Sequence, residues 1–331
     1  MPELRKDPVI GRWVIISTER AKRPHDFNFE NDELKSTFCP FCSGHEDKTP
    51  NPVLTYFDKG KEKDNKWSVR VVPNKFPALR IEGGLDKEAD GIYDKMNGVG
   101  AHEVIIESPE HERLLSNLGK DRIALILKAY QARILDLKND TRFKYVLIFK
   151  NQGKIAGASL EHSHSQLIAL PIVPVTVEDE ILGAKSYYEY KERCVFCDIV
   201  KHEIKDGKRI IEDQKNFVSI SPYAPRFSFE TWILPKKHAS HFESISDTEI
   251  SDLASILDVT IKKIDKALNH APYNFILHTS PLQEGPCAHY HYHLEIIPKL
   301  IGFAGFELGS GFYINPTPPE DSAKYLRELE I

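Results

Sequence analysis

Two histidines two residues apart, His162 and His164, followed by Gln166, are the side chains of this sequence best suited to chemistry on phosphorus. On an extended strand alternate residues share a face, so the three would line one surface. The small turn Gly157-Ala158-Ser159 just ahead of them leaves room for a phosphate group. One imidazole of such a pair can bind a metal ion while the other attacks phosphorus. Taken alone, a His-x-His pair more often marks the polar face of an antiparallel strand. What sets this pair apart is that the rest of the chain repeats its surroundings.

Four of the five cysteines fall in two Cys-x-x-Cys pairs, Cys39/Cys42 and Cys194/Cys197; the fifth is Cys287. In a reducing compartment such pairs bind metal rather than close disulfides. The two pairs could together build one four-cysteine site, but each has histidines downstream in its own half. The predicted sets are Cys39, Cys42, His111 and His162, and Cys194, Cys197, His238 and His291. Two thiolates and two imidazoles at tetrahedral geometry suit Zn2+. With every position filled by protein, such sites stabilise a fold and perform no chemistry. In the second set His241 competes with His238, and His289 with His291.

The elements that must position these residues recur in one order. Residues 11–17 read as a strand, running into the basic loop Arg20-Ala21-Lys22-Arg23, whose guanidiniums would clamp phosphate. Residues 51–66 are polar and read as a surface excursion. Strands follow at 69–72 and 102–107. Ile123, Leu127, Tyr130, Ile134 and Leu137 then repeat at helical spacing. A buried strand at 145–149 leads to Asn151-Gln152-Gly153 and the His162/His164 strand. The second half replays this with a strand at 231–235 and a helix opened by a capping box at Ser246 and Glu249. Its strand at 273–277 precedes the His291/His293 strand. His111 and His162 are 51 residues apart, and His238 and His291 are 53 apart. The predicted fold is α+β, with two tandem copies of one unit at 1–175 and 190–331. Each copy is mostly antiparallel sheet with one long helix.

The chain has 331 residues, 41% hydrophobic and 28% charged, with a formal net charge of −5. That balance describes a globular protein and gives no support to nucleic-acid binding. No run reaches transmembrane length, and no signal-peptide core follows the N-terminus, so the cytoplasm is the expected location.

These motifs together resemble the galactose-1-phosphate uridylyltransferase family of the histidine-triad superfamily. The resemblance runs through residues 13–17 and 20–24, the first cysteine pair, Pro73-Asn74-Lys75-Phe76-Pro77 and Ser108-Pro109-Glu110-His111. It continues through Asn151-Gln152-Gly153, Gly157-Ala158-Ser159, His162-x-His164-x-Gln166 and Gly305-Phe306-Glu307. It implies a nucleotidyltransferase of carbohydrate (galactose) metabolism that works by double displacement. By position, His164 would be the nucleophile on the α-phosphorus of a nucleotide sugar. Gln166, Ser159, Gly157 and Asn151 would contact the transferring phosphate. Arg20, Arg23 and Asn74 match the nucleotide-binding region, and Gly302, Phe306 and Glu307 the segment that closes over the sugar. A homodimer is implied as possible. The leading expectation is transfer from UDP-glucose to a hexose 1-phosphate. However, Glu161, Ser163 and Ser165 stand where prolines and a glycine are usual, and Tyr313 where a hexose-binding glutamine is expected. The His-Ser-His-Ser-Gln form resembles the branch containing ADP-glucose phosphorylase. Adenylyl transfer to inorganic phosphate is therefore the alternative, and hydrolysis of a nucleotide sugar or dinucleoside polyphosphate a further one. A non-enzymatic zinc module would account for the cysteines but not for His164 and Gln166.

Overall fold

The computed structural model describes residues 1–19, 38–57, 66–112, 114–300, 302 and 304–331. Arg20 and Arg23, expected at the phosphates, lie outside the described residues.

In the first half, strands β1 (Glu3–Lys6) and β2 (Trp13–Ile16) precede β3 (Leu54–Phe57) and β4 (Trp67–Pro73). A short hairpin, β5 (Glu88–Asp90) and β6 (Tyr93–Lys95), leads to β7 (Ala101–Ile106), helix α1 (Gly119–Leu137), β8 (Tyr145–Gln152) and β9 (His164–Leu170). Helices α2 (Val175–Lys191) and α3 (Val195–Asp206) connect to the second half. There β10 (Ile210–Asp213), β11 (Phe217–Ile220) and β12 (Thr231–Pro235) come before α4 (Asp247–Ala267), β13 (Tyr273–His278) and β14 (His293–Pro298). Helix α5 (Gly305–Ser310), β15 (Tyr313–Asn315) and α6 (Pro319–Glu328) finish the chain.

The two halves share one ten-stranded sheet in the order β10-β11-β12-β14-β13-β8-β9-β7-β4-β3, antiparallel throughout. Each half contributes five strands in mirrored order, as an internally repeated α+β chain should. The junction is β8 against β13, with Asn151 opposite Asn274 and Phe149 opposite Ile276. The sequence repeat contains no sign of this pairing, since neither strand's pattern shows what covers its edge.

One face of the sheet is buried under α1 and α4. Val69, Val71, Ile105, Val146, Ile148 and Leu167 meet Ile123, Leu127, Tyr130 and Ile134 of α1. Phe275, Leu277, Leu294 and Ile296 meet Ile250, Leu253, Leu257 and Ile261 of α4 in the same cluster. Each such side chain contributes about 1.5–3 kcal/mol on burial. Helix α4 starts at the capping box read from the sequence: Glu249 N–H donates to Ser246 Oγ, and Ser246 N–H donates to Glu249 Oε2.

Three features depart from expectation. Leu54–Phe57 is an edge strand on β4, not a surface excursion; its half-buried side chains pair with Trp67–Val71 despite the polar residues around them. Helix α2 was not foreseen, because its buried residues Val177, Glu180 and Ala184 form no clear apolar stripe. It lies against the N-terminal segment so closely that a Cβ on Gly183 would stand 2.0 Å from the Val9 carbonyl oxygen. Third, β2 pairs antiparallel with β1 and parallel with β15, which joins the two ends of the chain.

Behind β9, on the helix side, lies a buried polar group. Lys150 Nζ donates to Glu107 Oε2 at 2.7 Å, to Ser163 Oγ at 2.9 Å and to the His164 carbonyl at 3.2 Å. Ser163 and Ser165 both donate to Glu107, and Tyr130 OH meets Ser165 Oγ at 2.5 Å. Burial alone would raise the Glu107 pKa, but Lys150 and the serine hydroxyls outweigh it and hold it below 4.5. The depressed carboxyl adds stability above its unfolded pKa, lost as pH falls through the folded value. In Lys150→Met only the serine hydroxyls oppose the burial, and the sign reverses. We expect that variant to lose about 3–5 kcal/mol at pH 7, and less as acidification protonates Glu107. Chemical denaturation at pH 7 and pH 5 checks this; an equal loss at both would contradict it.

Candidate active site and metal-ligand groups

Strand β9 begins at His164, so His162 sits just before it rather than within it. Alternation still turns His164 and Gln166 to one face and Ser165 to the other. On the His164 face a cleft of about 440 Å³ opens, lined among others by Phe41, Asn74, Phe76, Ser159, His164 and Gln166. His164 Nδ1 lies 2.8 Å from the His162 carbonyl oxygen. A carbonyl only accepts, so Nδ1 carries the hydrogen and Nε2 keeps its lone pair. Burial and the nearby Lys150 both lower the His164 pKa, which favours that neutral ring. A neutral, oriented imidazole beside an amide and a hydroxyl can attack an electrophilic phosphorus.

Of the residues expected around the phosphate, Ser159, His164 and Gln166 converge on the cleft, joined by Asn74, expected in the nucleotide-binding region. Asn151 and Gly157 lie in the adjoining loop: Asn151 Nδ2 donates to the Gly157 carbonyl at 3.4 Å, and its Oδ1 accepts from Asn274 across the β8–β13 junction. Gly157 has φ +93°, a left-handed conformation suited to glycine. Gly302 and Glu307 line a different pocket, with Arg226, Ser228 and Tyr313. Phe306 is exposed on α5. The structure therefore does not bring these three to His164 within one chain.

Both cysteine–histidine sets come together, each with its ligand atoms within 4.8 Å of one another, and each can hold a metal ion. His162 Nδ1 lies 3.5 Å from Cys39 Sγ and 3.6 Å from Cys42 Sγ, and its Nε2 donates to the Ser108 carbonyl at 2.8 Å. His291 repeats this, its Nε2 donating to the Pro235 carbonyl at 2.8 Å, and His238 Nε2 donates to the Cys287 carbonyl at 3.0 Å. These carbonyls fix the tautomer that leaves Nδ1 free to ligate. Cys197 is held down to about 3 by the Cys194 thiol and by His238 and His291, while burial and Cys39 push Cys42 up to about 11. His241, bonded to Ser240, and His289, beside Cys287, stay outside the second group.

A third group, Glu180, His278, His293 and Glu295, escaped the sequence reading. Glu180 comes from α2 and His278 from the end of β13, so only the strand register places them beside His293. His278 lies 3.1 Å from Glu180 and 3.5 Å from Glu295, and the two carboxylates outweigh its burial and raise its pKa to about 10. Arg226 pairs with Glu295 at 2.6 Å and with Glu230 at 2.9 Å. The carboxylates are thus already engaged. His293 stacks on His278 at 4.7 Å and packs against Phe196 and Trp232.

The family models of galactose-1-phosphate uridyl transferase match residues 1–174 (N-terminal domain) and 180–316 (C-terminal domain). The chain belongs to this family. It is a nucleotidyltransferase, as its named relatives are. ADP-glucose phosphorylase of Arabidopsis thaliana is 42% identical over 337 residues, covering 100% of this chain and 93% of that protein. Galactose-1-phosphate uridylyltransferase of Thermotoga maritima is 30% identical, covering 100% and 99%. The crystal structure of the Arabidopsis ADP-glucose phosphorylase with bound ADP-glucose superposes with a TM-score of 0.86 at 40% identity, covering 100% of both chains. Among the described residues no helix is long and apolar enough to cross a membrane.

For the first metal-ligand group, His162→Ala is expected to lower metal content by one equivalent per chain. His241→Ala and His289→Ala should leave it unchanged. Elemental analysis of the purified proteins checks both, and an unaltered content in His162→Ala would remove His162 from the set.

Proposed function

We propose that the chain transfers a nucleotidyl group from a nucleotide sugar through a covalent intermediate on His164. The observation that carries this reading is the His164 ring: Nδ1–H is tied to the His162 carbonyl, and Nε2 retains its lone pair in a cleft that also holds Gln166 and Ser159. In the first step Nε2 bonds to the α-phosphorus as the bond to the sugar 1-phosphate oxygen breaks. In the second a phosphate oxygen takes the phosphorus and frees the ring. Gln166 and Ser159 would donate to oxygens that gain charge along the way. Arg20, Arg23, Asn151 and Gly157 complete the proposed phosphate surroundings.

For the substrate we propose ADP-glucose, with inorganic phosphate as acceptor and ADP and glucose 1-phosphate as products. This departs from the sequence-based order of preference, which put uridylyl transfer first. The support is the 42% identity to the Arabidopsis ADP-glucose phosphorylase over the whole chain, together with the His-Ser-His-Ser-Gln form. Uridylyl transfer to a hexose 1-phosphate is the second reading, favoured by the full-length likeness to the Thermotoga enzyme. Zn2+ is proposed in both cysteine–histidine sets, in a structural role because four protein ligands leave no open position. A cytoplasmic setting fits the cysteine usage. For Gly302, Phe306 and Glu307 to close over the sugar, a second copy of the chain must supply them, as in a homodimer.

Purified protein should release ADP and glucose 1-phosphate from ADP-glucose only when phosphate is present, and act at least tenfold more slowly on UDP-glucose with galactose 1-phosphate. Release of AMP with glucose 1-phosphate in the absence of acceptor would indicate hydrolysis. His164→Ala should lower turnover by ~10³-fold or more, in the range seen when a nucleophile is removed, while metal content stays the same. Retained turnover in that variant would exclude His164 as the nucleophile.

A further inference from the structure

Gln166 can assist a phosphoryl group only if its amide end points the right way. Its NH2 would donate to the phosphoryl oxygens, whereas its carbonyl oxygen would repel them. The two ends have nearly the same shape, so the side chain alone does not choose. Something must hold it.

His102 lies on β7, two residues from Val104, the direct partner of Gln166 on β9. On an antiparallel pair such diagonal neighbours share a face and reach each other when the side chains are long. The N–H of Ala78 donates to His102 Nδ1 at 3.1 Å. A backbone amide has only a hydrogen to offer, so Nδ1 must accept, and the ring is neutral with its one hydrogen on Nε2. Nε2 lies 2.9 Å from Gln166 Oε1. The Nε2 hydrogen therefore takes the oxygen end of Gln166 and leaves the NH2 as the other end. Asn74 Nδ2 also lies 3.1 Å from this ring nitrogen, but Asn74 is oriented independently because its Oδ1 accepts from Phe76 N–H at 2.9 Å. Two hydrogen-bearing nitrogens cannot satisfy each other, so the hydrogen of His102 is committed to Gln166.

We infer that His102 is a positioning residue for the nucleotidyl transfer: a backbone amide sets its tautomer, and that tautomer sets the direction of the Gln166 amide. The order of control runs from the Ala78 N–H through one imidazole to the NH2 that faces the substrate. The inference rests on the proposed role of the cleft, since an amide direction matters only if phosphate chemistry occurs there. His102 itself does not touch the reacting atoms.

The test combines kinetics with spectroscopy. His102→Ala should lower kcat about tenfold to a hundredfold, within the about 10²–10³ that losing an oxyanion donor outright costs, with KM changed less than about threefold. Gln166→Leu should lower kcat at least as much. In the double variant the loss should equal that of Gln166→Leu alone, because His102 acts through Gln166; multiplicative losses would overturn the inference. Two-bond 1H–15N spectra of the wild-type protein should give His102 as the Nε2–H tautomer, the signal being identified by its absence in His102→Ala. An Nδ1–H tautomer would overturn it even if that variant proved too unstable for kinetics. Failure of the nucleotidyl-histidine reading would appear separately, as turnover retained by His164→Ala.

Discussion

The buried ion pair of Lys150 and Glu107 is the interaction on which the site depends. Both side chains are almost wholly removed from water, where an unpaired charge costs several kcal/mol. They are tolerable because every strong valence is used: the lysine on a carboxylate, a hydroxyl and a backbone carbonyl, the carboxylate on the lysine and two serines. Their partners all belong to, or directly precede, the first residues of β9. A charged network of fixed geometry thus grips the back of the strand whose front carries His164 and Gln166. Ser163 and Ser165 of the His-Ser-His-Ser-Gln stretch are what the network holds.

This arrangement explains how a strand can be rigid while its other face borders a cleft. Ordinary strands are fixed by burial on both faces or by a partner layer. The front of β9 is only partly covered: His164 is buried beside Phe41, whereas Gln166 is half-buried at the cleft. The strand is also held by its two neighbours, β7 and β8, and by polar contacts behind it. Just ahead of it, His162 ties the chain to the cysteine pair through Nδ1 and to Ser108 through Nε2. The same residue whose carbonyl fixes the His164 tautomer is therefore anchored at a site able to hold metal. Structural support and chemistry meet within three residues.

Much of this was legible in the sequence, for identifiable reasons. The Cys-x-x-Cys pairs, the two long helices and the His164/Gln166 face follow from local spacing, and the histidines of the metal-ligand sets from the repeated order of the two halves. His238 and His291 were preferred to the competing His241 and His289 by their place in the repeat, and it is those two that the structure groups with Cys194 and Cys197. The β8–β13 junction, the β2–β15 pairing and the group of Glu180, His278, His293 and Glu295 were illegible. Each joins residues far apart in the chain whose individual types carry no distinguishing signal. Arg226 would have read as a surface cation, yet it is half-buried against two carboxylates. His102 also passed unmarked, since a lone histidine on a strand reveals nothing until its cross-strand neighbour is known.

Comparing the two copies shows two ways of fixing the same strand. In the first copy the residues behind the histidine strand are Ser163 and Ser165, bonded to charge, and the front faces a cleft. In the second copy Tyr292 and Leu294 occupy those positions and join the apolar core. The front is then filled by His293, Glu295, His278 and Arg226, an ion-pair network with rings stacked across it. The polar material has changed sides. An apolar back fixes the second strand by burial alone and needs no charged clamp, so its front is free to be filled. Glu295 in place of Gln166 completes the exchange: a carboxylate suits a network containing Arg226 and a cationic His278, and would repel the phosphate that an amide can hold. The duplicated unit thus offers two stable ways to fix one strand, and only the way that puts the polar network behind leaves an imidazole facing an open cleft.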